Sequence, residues 1–293
     1  MRPPTPGDRR KDLPVLLEIV IPAYNEAKRL PLGLSLLTRK AAALPVSTSI
    51  LVVDNASTDE TADIVRNWPA EPVPVQLVHC EQRGKGAAVR AGLLSTRAPF
   101  IGFCDADMAT DLSAIDVVLT LLAAGHPAVI GSRAHCRSVV EARHSILRTA
   151  GTAIFRSLAR TIVVGATDTQ CGFKFFSGPL ARAAAAQMRA VGFAFDVELI
   201  ARCAQLGASV TEIAVTWRDV PGSTFSVQRH GASALREIAS IWLDIKFRCS
   251  AAHTVSPVHH LHIPHIPLPR GGDSAVALPG HALEPGPVAA ASQ

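Results

Sequence analysis

The chain has 293 residues, of which 48% are hydrophobic and 18% charged, with a formal net charge of +5 and a pI of about 9.1. That length supports one large domain or two small ones with a real core. Lys and Arg form no run interleaved with aromatics, which argues against nucleic acid as a partner and leaves anionic substrates or an anionic membrane surface as fits for the mild basicity.

The chain opens on "MRPPTPGDRRKDLP", which has charges and prolines but no apolar core segment, so it does not read as a signal peptide; residues 1–14 are expected to form a disordered basic arm. "VLLEIVIPAYNE" predicts a strand ending in a loop at Pro22, and "RLPLGLSLLTRKAAAL" a helix from its Leu spacing. "SILVVDNAST" predicts a buried strand ending at Asp54. A helix follows, with Ser57, Thr58 and Asp59 as candidate N-caps. "VPVQLVHC", "GKGAAVRAGLLST", "PFIGFCDAD", "LSAIDVVLTLLAAG" and "PAVIGSR" continue as strand, helix, strand, helix and strand. Apolar strands alternating with amphipathic helices over residues 17–133 predict an α/β fold, a mostly parallel sheet covered by helices on both faces.

Beyond residue 134, "HSILRTAGTAIFRSLARTIVVG" predicts a helix over 146–164, "DTQCGFKFF" a loop and strand, and "GPLARAAAAQM" and "FAFDVELIARCAQLG" two helices. "SVTEIAVTWRDV" predicts one strand. "ASALREIASIWLDIKF" predicts a helix with Leu235, Ile238, Ile241, Trp242 and Ile245 on one face. Both the 146–164 and 234–247 segments combine apolar stripes with Arg or Lys, so each either packs on the sheet or lies in a membrane interface. No apolar stretch reaches the ~18–20 residues of a membrane span. Residues 251–293 hold seven prolines, six histidines and no aromatic residue, and are expected to be a disordered tail. The six cysteines are scattered without a CxxC, as reduced thiols are, not as a disulfide framework or zinc site.

In open α/β sheets ligands bind outside the carboxyl ends of the strands. Asp54, Asp105, Asp107 and the "AYNE" loop all fall at such ends. Asp105 and Asp107 alternate onto one side of an extended chain, where two anions are costly unless a cation joins them. Such hard oxygens suit Mg²⁺ or Mn²⁺ with diphosphate oxygens completing the shell, although a solvated turn is the plainer reading of an isolated DxD. Asp54 suits a uracil imide or a ribose hydroxyl, or else a turn. Asn25 and Glu26 suit the base, or else a helix start. "RGKGAAVRAG" holds Lys85 between glycines that let backbone and helix N-terminus approach an anion.

Together "IVIPAYNEAKRL", "ILVVDNASTDET", "RGKGAAVRAG", "DAD", "GSR" and "DTQCGFKFF", in this order, resemble the inverting family 2 glycosyltransferases of GT-A fold, and in particular the dolichyl/polyprenyl-phosphate β-glucosyltransferase branch. The resemblance spans about residues 17–248 and implies a catalytic domain over 15–250, with a nucleotide-sugar half (15–133) and an acceptor half (134–250). It implies that Pro22, Ala23, Tyr24, Asn25, Glu26 and Asp54 hold uridine. Asp105, Ala106 and Asp107 would meet ribose, diphosphate and a divalent metal, with Asp105 and Asp107 as ligands. Lys85 and Arg133 would lie near the donor phosphates or sugar. Asp168, Gln170 and Lys174 would line the acceptor side, and Arg218 would close over the diphosphate from a loop. Met108 departs from the branch, where Gly more often follows the DAD.

The implied reaction transfers a hexose, glucose first, from a UDP-sugar to a polyprenyl (dolichyl-type) phosphate, with Mg²⁺ or Mn²⁺ at the leaving diphosphate. A lipid phosphate is already ionised at pH 7, so the site needs positive charge (Arg133, Lys174, Arg156, Arg160) more than a base. Asp168 is the candidate base, or else an arginine's partner. The resemblance places such an enzyme in the cytoplasm, peripheral on the inner face of the cell membrane. It leaves the attachment open, with a membrane-protein partner among the ways. A GDP-mannose-dependent mannosyl branch, a soluble enzyme with a small phosphorylated acceptor and a nucleotide-sugar-binding protein without turnover are the alternatives.

Overall fold

The computed structural model describes residues 14–141, 155, 157–163, 165–220 and 227–251. Residues 1–13, most of the 146–164 helix with Arg156, and the tail from 252 lie outside the described residues. The strands are β1 (Leu17–Ala23), β2 (Thr48–Asp54), β3 (Val75–His79), β4 (Phe100–Cys104), β5 (Ala128–Ser132), β6 (Val139–Glu141), β7 (Phe173–Ser177), β8 (Val210–Ala214) and β9 (Thr216–Arg218). The helices are α1 (Leu30–Ala43), α2 (Thr61–Arg66), α3 (Lys85–Ser95), α4 (Ala114–Ala123), α5 (Gly178–Gln187), α6 (Phe195–Gln205) and α7 (Val227–Ala251).

Seven strands form one sheet in the order β3-β2-β1-β4-β7-β5-β8. All neighbours are parallel except β7, which runs antiparallel to β4 and β5. The alternation of strands and helices over residues 17–133 is as the sequence predicts. β1 has β2 on one side and β4 on the other, so chain order reverses there and opens a crevice at the carboxyl ends.

Period-two alternation sorts the core into two layers. Leu17, Ile19, Ile21, Ile50, Val52, Phe100, Phe173 and Phe175 pack with α1 and α4 on one face. Val20, Leu51, Val53, Ile101, Phe103 and Phe176 pack with α3, α5 and α6 on the other. Both faces are covered, which is why these strands read as continuous apolar runs.

One segment differs from the sequence reading, and another follows one of its two alternatives. "SVTEIAVTWRDV" is two strands, because the chain leaves the main sheet after Ala214 and β9 pairs with β6 in a separate two-stranded sheet. Within 146–164, Phe155, Ala159 and Val163 are buried in the core, with Ile162 packed against it, so this side of the segment serves the sheet.

Gly102, at the centre of β4, is tightly packed. It pairs with Phe175, whose ring lies where a Cβ would stand, 2.2 Å away. Gly102→Ala should therefore cost about 1–3 kcal/mol in urea unfolding. Phe175→Leu added to it should cost less than the sum of the two single changes, because the smaller side chain relieves the clash.

Candidate active site

The β1 and β2 ends are tied together by side chains read from sequence as helix caps. α2 begins only at Thr61, whose N–H donates to Asp59 Oδ1 (3.0 Å), so Asp59 acts at the helix start. Ser57 Oγ accepts from Asn25 N (3.0 Å), and Asn25 Oδ1 accepts from Thr58 N (2.8 Å). Asp59 accepts from Ala27 N (3.1 Å), and Thr61 Oγ1 from Glu26 N (2.8 Å). These bonds hold Asn25 at φ 52°, a left-handed conformation that Asn tolerates. Pro22 and Ala23 pair with Val53 and Asp54 in the sheet, and Tyr24 is exposed. Asp54 is buried at the end of β2, with His79 Nδ1 3.4 Å from its Oδ2. Asn55, which the sequence reading passed over, donates to Gln82 O (2.7 Å) and accepts from Gly84 N (2.7 Å), fixing the loop before Lys85.

Lys85 Nζ reaches across the edge to Asp105 Oδ1, 2.6 Å away. Burial alone would push the Asp105 carboxyl up, but Lys85 beside it outweighs burial and holds it below the ordinary range. Asp107 goes the other way: burial, then the neighbouring Asp105 charge, raise it. The backbone packs close here. Asp105 N donates to Gly172 O (3.0 Å), and a Cβ on Gly172 would stand 2.1 Å from the Asp105 carboxylate. Gly33 of α1 lies against Ala106 O in the same manner, a Cβ there standing 2.5 Å away. Met108 has φ 48°, a conformation glycine adopts at no steric cost, which gives this departure from the family pattern its physical content.

Arg29 is a site residue the sequence reading missed, although it stands three residues after Glu26. Its guanidinium pairs with Glu26, and its second terminal nitrogen, Nη1, lies 3.9 Å from Asp107 Oδ2. Burial raises the Glu26 carboxyl against the opposing pull of Arg29. Arg29 Nη1, a buried polar atom at this edge, has no hydrogen bond among the described residues, while the buried Asp105 Oδ1 is met by the Lys85 ammonium. Arg29 Nη1 wants an acceptor.

On the opposite wall, Arg133 and Asp168 form a bidentate pair. Arg133 Nε and its terminal nitrogen Nη2 donate to the two carboxylate oxygens at 2.7 and 2.8 Å, and Arg133 N adds a third bond at 2.9 Å. Glu212 holds the Asp168 loop by accepting from Thr167 N and Asp168 N, and Gln170 N donates to Asp168 Oδ1 (3.3 Å). Asp168 is 1% exposed. Burial alone would raise its carboxyl, but the Arg133 bonds and charge hold it down at about 2. A group so committed is an arginine's partner and a poor proton acceptor.

Lys174 is 0% exposed, so it does not line an open acceptor surface as expected. Antiparallel β7 turns it onto the α6 face, where it pairs with Asp196, donates to Cys171 O (2.6 Å) and lies 5.0 Å from the Phe103 ring centroid. Its positive charge still bears on Asp105 from beneath, as does that of Arg133. Asp196 went unnoticed because "FDVELI" reads as an ordinary helix start. Arg218 is on β9, not in a loop: its N–H donates to Ala109 O (2.9 Å), and its side chain, 65% exposed, pairs with Glu141 at 3.1 Å. Arg160 is exposed.

Among the described residues no three His, Cys, Asp or Glu side chains cluster as a self-sufficient metal site. Asp105 and Asp107 supply two carboxylates, with the buried Asp105 Oδ1 already facing a cation, the Lys85 ammonium. That donor set fits Mg²⁺ or Mn²⁺, which take one or two carboxylates and fill the remaining positions with phosphate and water oxygens.

The Arg133–Asp168 pair has a pH signature. Asp168 titrates at about 2 in the folded chain, against about 3.9 unfolded. Its stabilisation, about 2–3 kcal/mol by linkage, is present in full above the unfolded value and is lost as pH falls towards the folded one. Asp168→Asn should lower stability at neutral pH and flatten its acid limb. Urea unfolding between about pH 5 and about pH 2.5 checks this, and parallel curves for the two proteins would count against the pair.

Residues 18–178 match the sequence profile described as Glycosyl transferase family 2. The chain is 36% identical over 250 residues to a dolichyl-phosphate beta-glucosyltransferase of Drosophila melanogaster, covering 80% of this chain and 76% of that one. It is 34% identical over 223 residues to the dolichyl-phosphate beta-glucosyltransferase of Homo sapiens, covering 71% and 68%. Among solved structures it resembles glucosyl-3-phosphoglycerate synthase from Mycobacterium tuberculosis in complex with Mg²⁺ and uridine diphosphate, with a TM-score of 0.57 at 16% identity over 82% of this chain and 81% of that one. The same enzyme with Mn²⁺, UDP-glucose and phosphoglyceric acid gives 0.56 at 16% identity, with the same coverage. The architecture is therefore GT-A, and the chain belongs to glycosyltransferase family 2.

Proposed function

We propose that the chain transfers glucose from UDP-glucose to a polyprenyl phosphate of the dolichyl type, with inversion at C1 and release of UDP. The observation that carries the reading is the edge where Asp105, Asp107, Lys85 and Arg29 meet, two carboxylates beside two cations, with a buried guanidinium nitrogen that lacks a hydrogen bond. The names of relatives above 30% identity over two thirds of their length support the acceptor and the sugar. Solved structures of the same fold with UDP and Mg²⁺ or Mn²⁺ support the donor class.

In this reading Asp54 and the Pro22–Glu26 segment receive uridine. Asp105 and Asp107 hold a divalent cation, which when bound neutralises charge on the leaving diphosphate. Arg29 offers Nη1 to a phosphate oxygen. An oxygen of the acceptor phosphate attacks C1, the bond from C1 to the diphosphate oxygen breaks, and its electron pair leaves on UDP. The acceptor is ionised at neutral pH, so no side chain need take a proton. Arg133, held rigid by Asp168 and stacked 5.6 Å from the Trp217 ring centroid, supplies fixed positive charge for an incoming anion. Lys174 supports that field from below.

A mannosyl donor, a small phosphorylated acceptor, or binding without turnover remain as outcomes of one experiment. UDP release is measured from UDP-glucose and from GDP-mannose (as GDP), with Mg²⁺, with and without a short polyprenyl phosphate or 3-phosphoglycerate. Release from UDP-glucose should require the polyprenyl phosphate. Asp107→Asn should lower kcat by roughly 100-fold or more, the scale seen when a preorganised electrostatic group is lost. No helix among the described residues is long and apolar enough to cross a membrane.

A further inference from the structure

We propose that the outward face of α7 is a docking surface for an anionic lipid bilayer. The sequence places Leu235 and Trp242 on one apolar face with Ile238, Ile241 and Ile245, but the structure separates them. Ala234, Ile238 and Ile241 are buried and Ile245 packs against the same core, whereas Leu235, Trp242 and Leu243 are 43%, 36% and 46% exposed. These are three of the eleven exposed large apolar side chains among the described residues, concentrated on two turns of one helix. Leu235, Ala239, Trp242 and Lys246 recur at intervals of four, three and four, and Arg236, Ser240 and Leu243 run beside them; all seven are exposed.

Charge is sorted in the same way. The two acids in residues 233–246 of α7 face the body: Glu237 accepts from Gly192 N (2.7 Å) and Ala194 N (3.2 Å), and Asp244 pairs with Arg202 and with Arg189 at 3.1 Å. The two bases, Arg236 and Lys246, face out, and Lys246 Nζ stands 4.3 Å from the Trp242 ring centroid. A face of Leu, Trp and cations, with its acids turned inward, matches the headgroup zone of an anionic membrane: apolar groups enter the acyl boundary and cations meet lipid phosphates. Trp suits that zone because one side of its ring system is apolar and its N–H is polar.

The face is also near the chemistry. Gly192 O accepts from Gly86 N (3.2 Å), the residue after the Lys85 that pairs with Asp105. α7 therefore lies beside the catalytic edge, where a bilayer on its outer face would present a lipid phosphate. This rests on the proposed lipid acceptor only for its purpose, and its test needs no turnover.

Full-length protein is titrated with phosphatidylcholine vesicles, with and without phosphatidylglycerol, in the absence of polyprenyl phosphate. Sedimentation and Trp emission are read together. The anionic vesicles should bind and shift the emission to the blue. Trp242→Phe should remove most of the shift, leaving Trp68 and Trp217 little changed. Arg236→Glu with Lys246→Glu should weaken vesicle binding by about tenfold or more. The same double variant should keep UDP release with a short, water-dispersed polyprenyl phosphate, which also confirms that it folds. No binding to anionic vesicles, binding without a Trp242 shift, or equal binding by the charge-reversed protein would overturn the proposal. So would a wild-type dimer that Trp242→Ala converts to monomer, since a second copy would then cover the face. Failure of lipid-dependent UDP release alone would sink the acceptor reading and leave this surface standing.

Discussion

The Lys85–Asp105 pair is the interaction on which the catalytic edge depends. A carboxylate just past the end of a fully buried strand is costly unless a cation meets it. Lys85 comes from the start of α3, on a loop whose backbone is fixed by Asn55 and packed against residues 190–192. Removing either partner would leave a charge with reduced hydration beside Asp107, whose own ionisation is already opposed by burial and by Asp105.

Around that pair the site is built in layers of decreasing exposure. Asp107, Arg29 and Glu26 stand at the edge. Arg133 and Asp168 form the wall, with Glu212 behind them holding the backbone of Thr167 and Asp168. Lys174 and Asp196 lie beneath, fully enclosed between β4, β7 and α6. The deeper pairs make few direct contacts with the crevice, but their charges act through low-dielectric surroundings and fix the field at its mouth. This suits a reaction between two anions, where the protein's task is positive charge held in place and not proton transfer.

Glycine provides the closeness this arrangement needs. Gly172 lets the β7 approach pass directly against Asp105, and Gly102 lets the Phe175 ring lie flat over β4. Met108 occupies a left-handed position without glycine's freedom, a local strain of order 1 kcal/mol carried by the surrounding packing.

Much of this was legible in the sequence. Strand-helix alternation over 17–133 follows from apolar runs and helical spacing, which are local properties, and the ends of parallel strands must share an edge. That was sufficient to bring Asp54, Asp105, Asp107 and "AYNE" together, and the ordered motifs pointed to the family. What the sequence could not determine was direction, depth and partner. Where "FKFF" sits depends on β4 and β5, distant in sequence, and its central place in a sheet covered on both faces is what sinks Lys174 into the core. Ser57, Thr58 and Asp59 have the chemistry of helix caps, and Asp59 does accept from Thr61 N, yet tertiary proximity to Asn25–Ala27 also ties each of them across to the β1 loop. The stripe on α7 looked continuous because helical spacing is blind to which neighbour is present. Only packing against α6 and residues 188–194 decided that Ile238 and Ile241 go inside and Trp242 stays out. Local pattern determined the elements, and long-range packing and charge pairing determined what each side chain does.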